Sequence, residues 1–373
     1  MVDEIMYKEL VELLRTDSAS GKETAIADIL KQKLLALNFT VAQDEAGKTF
    51  GGECGNVLGV REGELAGSLL LCSHMDRVPN GLGINPVEKE GILYSDGTTI
   101  LAADDIAGVA VILAGLRKVL ATGCPLPRLE VLFTVGEESG LHGAKAMDMS
   151  KLQSKTAYIF DSPGPVGRFV NAAPGHYNYR VHIKGRPAHA GNEPEKGIDA
   201  AKTMCDILSA LPQGRLDEVS TANFPIVRTA ATARNVVCDS AYFEGESRSR
   251  DEKKLLAYAD KFVEICERIA AEHGAEIEVE REKEHLPFFV AETEPVLQMA
   301  KEACAKLELD CVINAGGGGM DANIFAQKGI SCVGVAVGYT KNHTANEQLV
   351  LADFFKAGDL AAELIKIFSA QAN

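Results

Sequence analysis

No stretch of this 373-residue chain is apolar for long enough to span a bilayer. The longest uninterrupted apolar run, Ile106 to Leu116, is about half of the ~20 residues that a membrane helix needs. Basic residues are also short: 38 Lys and Arg stand against 53 Asp and Glu, a formal net charge of −15. No basic patch is dense enough to offset that balance, which argues against nucleic acid or an anionic membrane as a partner. The N-terminus, Met1-Val2-Asp3-Glu4-Ile5-Met6, lacks the basic, then apolar, then small-residue order of a secretory signal. Nine cysteines, an odd number, form no C-x-x-C pair. Most of them, Cys72, Cys205, Cys266 and Cys332 included, lie in apolar strand or helix contexts and read as buried free thiols of a reducing cytoplasm. There is no internal repeat, and no low-complexity tract beyond Gly316 to Gly319.

What is present is an ordinary globular composition, 46% hydrophobic and 24% charged. The length favours two domains over one core. Helical apolar spacing covers Tyr7 to Arg15 and Glu23 to Leu37, and Ser20-Gly21-Lys22-Glu23 has the pattern of a capping box. Strands at 69–73, 99–103, 129–135 and 156–160 alternate with a helix from about Ile106 to Thr122. That alternation predicts a doubly wound, mostly parallel α/β sheet. Near Gly175 the character changes. Tyr177 to Ile183 alternates with period two, as a half-exposed antiparallel strand does. A helix from Gly197 to Leu211, strands through Val236 and over 241–246, a helix 251–273 and a strand 276–282 follow. Helix–strand alternation resumes with a helix 295–307, a strand 331–337 and a terminal helix 353–370. The chain thus reads as a discontinuous catalytic domain, 1–174 with 287–373, carrying an inserted α+β domain, 175–286.

Histidines and paired carboxylates gather where strands are expected to end. His74-Met75-Asp76 follows the first apolar strand, and residues two apart on an extended backbone project to one side. A carboxylate so placed can take the second imidazole N–H and orient the ring toward a metal. Asp104-Asp105 precedes a helix, where capping and metal ligation both fit. Glu137-Glu138, in Gly136-Glu137-Glu138-Ser139-Gly140, is either an exposed acidic turn or a ligand beside a general base. Asp161 ends another apolar run. Histidine–carboxylate sets serve zinc, manganese or cobalt, and the C-terminal ends of strands are where open α/β sheets build their sites.

Taken in order, these motifs resemble a known family. His74-Met75-Asp76, Asp96-Gly97-Thr98-Thr99 running into Ala103-Asp104-Asp105, Phe133 to Glu138, Asp161, Gly185-x-x-Ala188-His189-Ala190-Gly191 and His343 are similar to the co-catalytic zinc exopeptidases. That group includes peptidase T, glutamate carboxypeptidase and aminoacylase. The Asp-Gly-Thr-Thr lead-in and the doubled aspartate lie nearest the peptidase T branch, and the resemblance spans essentially the whole chain. It implies two divalent ions, zinc first, with His74, Asp104 and Asp161 on one and Asp104, Glu138 and His343 on the other, sharing a water. It further implies that Asp76 orients His74, that Glu137 is the general base and that His189 donates to the oxyanion. A cis peptide at Asp104–Asp105 is expected. Arg234, Asn235, Gly318 and Gly319 become substrate-binding candidates, with Arg248 a weaker one. The remaining histidines, 142, 176, 182, 273 and 285, read as structural. The insert can also pair two chains into a homodimer.

Some positions depart from the peptidase T pattern. Ile106 stands where a basic residue is usual, and Gly316, Gly317 and Met320 where Arg and Ser/Thr are usual. These touch substrate preference and no metal ligand. The leading expectation is an exopeptidase of small peptides, resembling a tripeptide aminopeptidase. A carboxypeptidase or N-acyl-amino-acid amidohydrolase with the same metal chemistry is the alternative. A non-catalytic scaffold would have lost the base or a ligand, and Glu137 and all five ligands are present.

Overall fold

Seven consecutive buried residues, Ser68–His74, form a central strand of a nine-stranded sheet. An apolar run without polar alternation is what a strand covered on both faces requires. In the computed structural model, which describes residues 2–371, the sheet order is Thr40–Gln43, Val57–Arg61, Arg128–Thr134, Ser68–His74, Thr156–Ser162, Ser331–Ala336, Arg168–Ala173 and Phe288–Phe289, with Val312–Ala315 beside Arg168–Ala173. The four strands from Arg128–Thr134 to Ser331–Ala336 are parallel, and antiparallel pairs lie toward the edges. The mostly parallel α/β sheet is therefore present.

Helix Ala103–Leu120 packs on strands Ser68–His74 and Thr156–Ser162 and against helix Leu351–Gln371. Two glycines make that approach close. A Cβ on Gly108 would lie 2.0 Å from the Phe160 carbonyl oxygen, and one on Gly115 would lie 2.6 Å from the Ala361 Cβ. Behind the central strand, the fully buried Arg77 donates to the carbonyls of Leu13, Leu14, Thr16 and Gly81 and to the Ser18 hydroxyl. Its guanidinium thereby satisfies the C-terminal end of helix Val2–Leu14. A small antiparallel sheet, Tyr339–Thr340, Gln348–Val350, Ile92–Tyr94 and Val87–Lys89, carries the loop that holds His343.

The chain divides into two compact units. One comprises the residues up to Ala172, Phe289–Gly316 and those from Met320 onward; the other comprises Ala173–Phe288 and Gly317–Gly319. The second unit is a five-stranded antiparallel sheet, in the order Gly214–Arg215, Ser220–Thr229, Ser240–Ser249, Gly175–Lys184, Glu276–His285. Tyr179, Val181 and Ile183 point to one face, where they pack with Phe224, Phe243 and helices Ala200–Ala210 and Glu252–His273. Leu255, Ala259, Phe262, Cys266 and Ile269 form the buried stripe of the longer helix. Asp251 caps its N-terminus through the Lys254 amide, and Gly274 at φ 70° closes its end.

Four expectations are corrected. Residues 99–102 are not a strand but an irregular loop running into the helix that starts at Ala103. Ser20 and Glu23 do not cap helix Thr24–Ala36, whose first turn has no side-chain cap; both reach other partners, described below. The strand expected through Val236 ends at Thr229, leaving Val236 in an isolated bridge with His189. All nine cysteines are free, but Cys205 is exposed, because it falls on the outer face of helix Ala200–Ala210. Four further strands of this sheet, Thr40–Gln43, Val57–Arg61, Arg168–Ala173 and Val312–Ala315, are not among those expected from the sequence.

Candidate metal centre

The parallel strands deliver their C-terminal ends to one place. His74 ends one strand, Asp161 lies near the end of another, and Glu137 and Glu138 follow Arg128–Thr134. Asp104 comes from the irregular start of helix Ala103–Leu120 and His343 from the small hairpin. His74, Asp104 and Asp161 each place one donor atom within 4.8 Å of the others, and Asp104, Glu138 and His343 do the same.

Asp104 belongs to both groups, and its two oxygens face different imidazoles. Oδ1 lies 3.2 Å from His74 Nε2, while Oδ2 lies 3.2 Å from His343 Nε2 and accepts from Asn342 Nδ2 at 2.5 Å. His343 Nε2 is also 3.0 Å from Glu138 Oε1. Asp161 Oδ1 lies 3.9 Å from His74 Nε2 and accepts from the buried Tyr339 hydroxyl at 3.1 Å. The opposite edge of the His74 ring, Nδ1, faces the Asp76 main-chain oxygen at 3.1 Å and its Oδ1 at 3.4 Å. The Asp104–Asp105 peptide bond is cis.

Carboxylates outnumber imidazoles here, and burial together with their mutual repulsion works against ionising all of them. Burial, followed by the charge of neighbouring carboxylates, holds Glu137, Glu138 and Asp161 above the usual carboxylate range. Burial acts against charging Asp104 too, yet hydrogen bonds to His343 and His74 keep it low. His343 is pushed up to about 10 by its hydrogen bonds to Asp104 and Glu138. For His74, burial opposes protonation, but Asp104 and Asp76 raise it well above the ordinary value. Buried carboxylates that cannot all ionise beside one another are what divalent cations relieve. Donor chemistry, spacing and charge thus all fit a pair of cations.

Several further groups brace these donors. Ser20, from the supposed capping box, donates to Asp76 Oδ2 at 2.5 Å. Glu23 accepts from the amides of Gly21 (2.9 Å) and Gly136 (3.0 Å), and burial pushes it up to about 7. Asp105 accepts from the Ser73 hydroxyl and the His74 amide. Asp321 accepts from the Thr134 hydroxyl at 2.6 Å beneath the site. Of these groups the sequence pattern marks Asp105, as half of the Asp104-Asp105 pair, and Ser20 with Glu23, as an apparent helix cap that the structure does not use.

His189, Arg234, Asn235, Gly318 and Gly319 lie in the second unit. His189 Nδ1 accepts from the amides of Gly191 and Asn192, both at 3.1 Å, so Nε2 is the ring nitrogen able to donate. The turn bearing Arg234 and Asn235 is its neighbour: the Ala190 amide donates to the Asn235 carbonyl at 3.0 Å. A Cβ on Gly319 would strike the His285 ring at 2.5 Å, whereas Gly318 stands in open space. Arg248 forms a double hydrogen bond with Glu246, at 3.0 Å each. His142 stacks on Phe50 at 4.5 Å.

The sequence profile of peptidase family M20/M25/M40 matches residues 70–367. The Bacillus subtilis protein YqjE is 36% identical over 97% of both chains. Among solved structures, an aminopeptidase PepT from Bacillus cereus is 36% identical with a TM-score of 0.92, covering 98% of each chain. A tripeptidase from Staphylococcus aureus is 33% identical with a TM-score of 0.95, covering 99% of each.

Proposed function

The chain belongs to peptidase family M20/M25/M40, a family of metal-dependent hydrolases, and from that premise we propose that it is a dinuclear aminopeptidase removing the N-terminal residue of small peptides, tripeptides first. The observation that carries this reading is Asp104, one oxygen toward each histidine, at the overlap of two three-residue donor sets. In this reading His74, Asp104 and Asp161 hold one ion and Asp104, Glu138 and His343 the other, with zinc preferred and manganese or cobalt able to replace it. Divalent ions held there supply Lewis-acid polarisation of the scissile carbonyl and acidify water.

The remaining steps belong to the chain's own groups. Glu137 accepts a proton from the attacking water and returns it to the leaving amine. Asp76 holds the His74 ring by its Nδ1 edge and the Glu137–Glu138 turn by its amides. His189 donates from Nε2 to the developing oxyanion. Arg234, Asn235 and the amides of Gly318 and Gly319 bind the substrate backbone. The likeness to an aminopeptidase and a tripeptidase supports the choice of terminus and of substrate size. With every cysteine free, a reducing cytoplasm is the compartment we assign.

The test is elemental analysis of the purified protein together with hydrolysis of di-, tri- and N-acylated peptides before and after chelation. Two ions per chain and chelator-sensitive release of the N-terminal residue from tripeptides are expected. Glu137→Gln should keep the metal and lose about 10²–10⁴-fold in turnover. Activity confined to blocked or C-terminal substrates would replace this reading with an amidohydrolase or carboxypeptidase. Absence of both metal and turnover would refute the donor set.

A further inference from the structure

The loop that delivers Asp104 has no regular structure to hold it. Residues 95–102 connect strand Ile92–Tyr94 to helix Ala103–Leu120. Ala102 sits at φ 56°, in the left-handed region that residues with a Cβ rarely adopt. Asp104, at ψ 103°, and Asp105, at φ −120°, depart from helical geometry inside the first turn. A backbone bent this way turns amides inward without carbonyl partners, and a buried amide left so is costly.

One side chain meets these amides. Glu347, 1% exposed, accepts at Oε2 from Leu101 (3.0 Å) and Ala102 (2.7 Å) and at Oε1 from Asp104 (3.0 Å). It lies four residues after His343, in the loop between Tyr339–Thr340 and Gln348–Val350. That loop therefore grips Asp104 from two sides: Glu347 takes its backbone, while Asn342 and His343 face its Oδ2.

We propose that Glu347 is a positioning residue of the metal centre, fixing the 101–104 backbone so that the two oxygens of Asp104 stay aligned between His74 and His343. The inference rests on the reading of Asp104 as the shared ligand. A carboxylate is the side chain suited to the task, since it offers acceptor sites on both oxygens and donates nothing. Glutamine would turn an NH₂ group toward at least one of the three amides, and aspartate falls one methylene short. Placing a further buried anion beside an already acidic cluster is electrostatically unfavourable. A role in chain packing alone would be served by a neutral acceptor.

The probe is cobalt(II), titrated into the metal-free full-length chain by calorimetry and followed by visible absorption. The titration is run well below the melting transition of each protein, so that every sample is folded. Wild type should bind two ions, and Glu347→Gln should bind at least one of them about 10–100-fold more weakly, with an altered absorption band. If Glu347→Gln does not fold, Glu347→Asp is titrated instead, with a smaller loss in the same direction expected. Wild-type affinity and absorption in either folded variant would overturn the proposal. Failure of the wild type to bind cobalt would overturn the metal-centre reading itself, an outcome seen before any variant is made.

Discussion

Asp76 divides its two oxygens among three segments. Oδ1 faces His74 Nδ1 and accepts from the Glu137 amide at 3.0 Å; Oδ2 accepts from the Ser20 hydroxyl and from the Glu138 amide at 3.2 Å. One carboxylate thus sets the orientation of a candidate ligand and of the turn bearing the candidate base. Single residues also govern acid stability, and Glu246 in the second unit is the clearest case. The His176 ring, with Nε2 3.1 Å from Glu246 Oε2, and then the double hydrogen bond from Arg248 outweigh its burial and pull its pKa down to about 2 from an ordinary 4.5. A carboxylate depressed on folding stabilises the native state above its unfolded pKa, and that contribution is lost as pH falls through the folded value. Wild type should therefore melt above Glu246→Gln at pH 6, with the difference closing between about pH 4.5 and about pH 2. A difference in melting temperature that stays constant across that range would refute the linkage.

Helix Ala103–Leu120 shows how an element transmits packing to chemistry. It lies against strand Thr156–Ser162 so closely that a Cβ on Gly108 would sit 2.0 Å from the Phe160 carbonyl oxygen and 2.4 Å from Asp105 Oδ1. Alanine ordinarily favours a helix over glycine by about 1 kcal/mol. Here the collision should dominate, and Gly108→Ala should lower stability by about 1–3 kcal/mol, read as a lower urea midpoint. An unchanged or raised midpoint would mean that the helix lifts off the sheet at no cost. The start of the same element shows why composition alone does not predict its backbone. Thr99 to Ala103 has a strand's composition, but the chain must bend there to present Asp104, and Glu347, far along the chain, supplies the hydrogen bonds that a neighbouring strand would have given.

At the scale of the molecule, the second unit is spliced into the first at a point where the chain leaves and returns side by side. The Val290 amide donates to the Asn171 carbonyl and Asn171 Nδ2 to the Val290 carbonyl, each at 2.8 Å. An insert whose ends meet leaves the host sheet intact. Every donor of the candidate centre belongs to the first unit. Zinc added to the metal-free chain should therefore slow amide exchange around 72–76, 101–106, 134–139 and 340–348, and leave the strands of 176–285 unchanged. Equal protection of both regions, measured by mass spectrometry, would refute a metal held by the first unit alone.

By itself the sequence determined the α/β alternation, the change of character near Gly175 and the residue types from which a metal centre could be built. Those properties are local: apolar runs, period-two alternation, and His or paired carboxylates just past a strand are set by neighbours in the chain. Only the tertiary structure decided which groups meet and what braces them. Ser20, Glu23, Tyr339 and Glu347 each bond to a group 56, 113, 178 and 243 or more residues away, respectively. Ser20 and Glu23 look like a helix cap because a hydroxyl and a carboxylate three residues apart can serve one, and Glu347 looks like a solvated charge in a polar loop. Burial is what gives them their roles, because a polar group removed from water must take whichever partner the fold brings near.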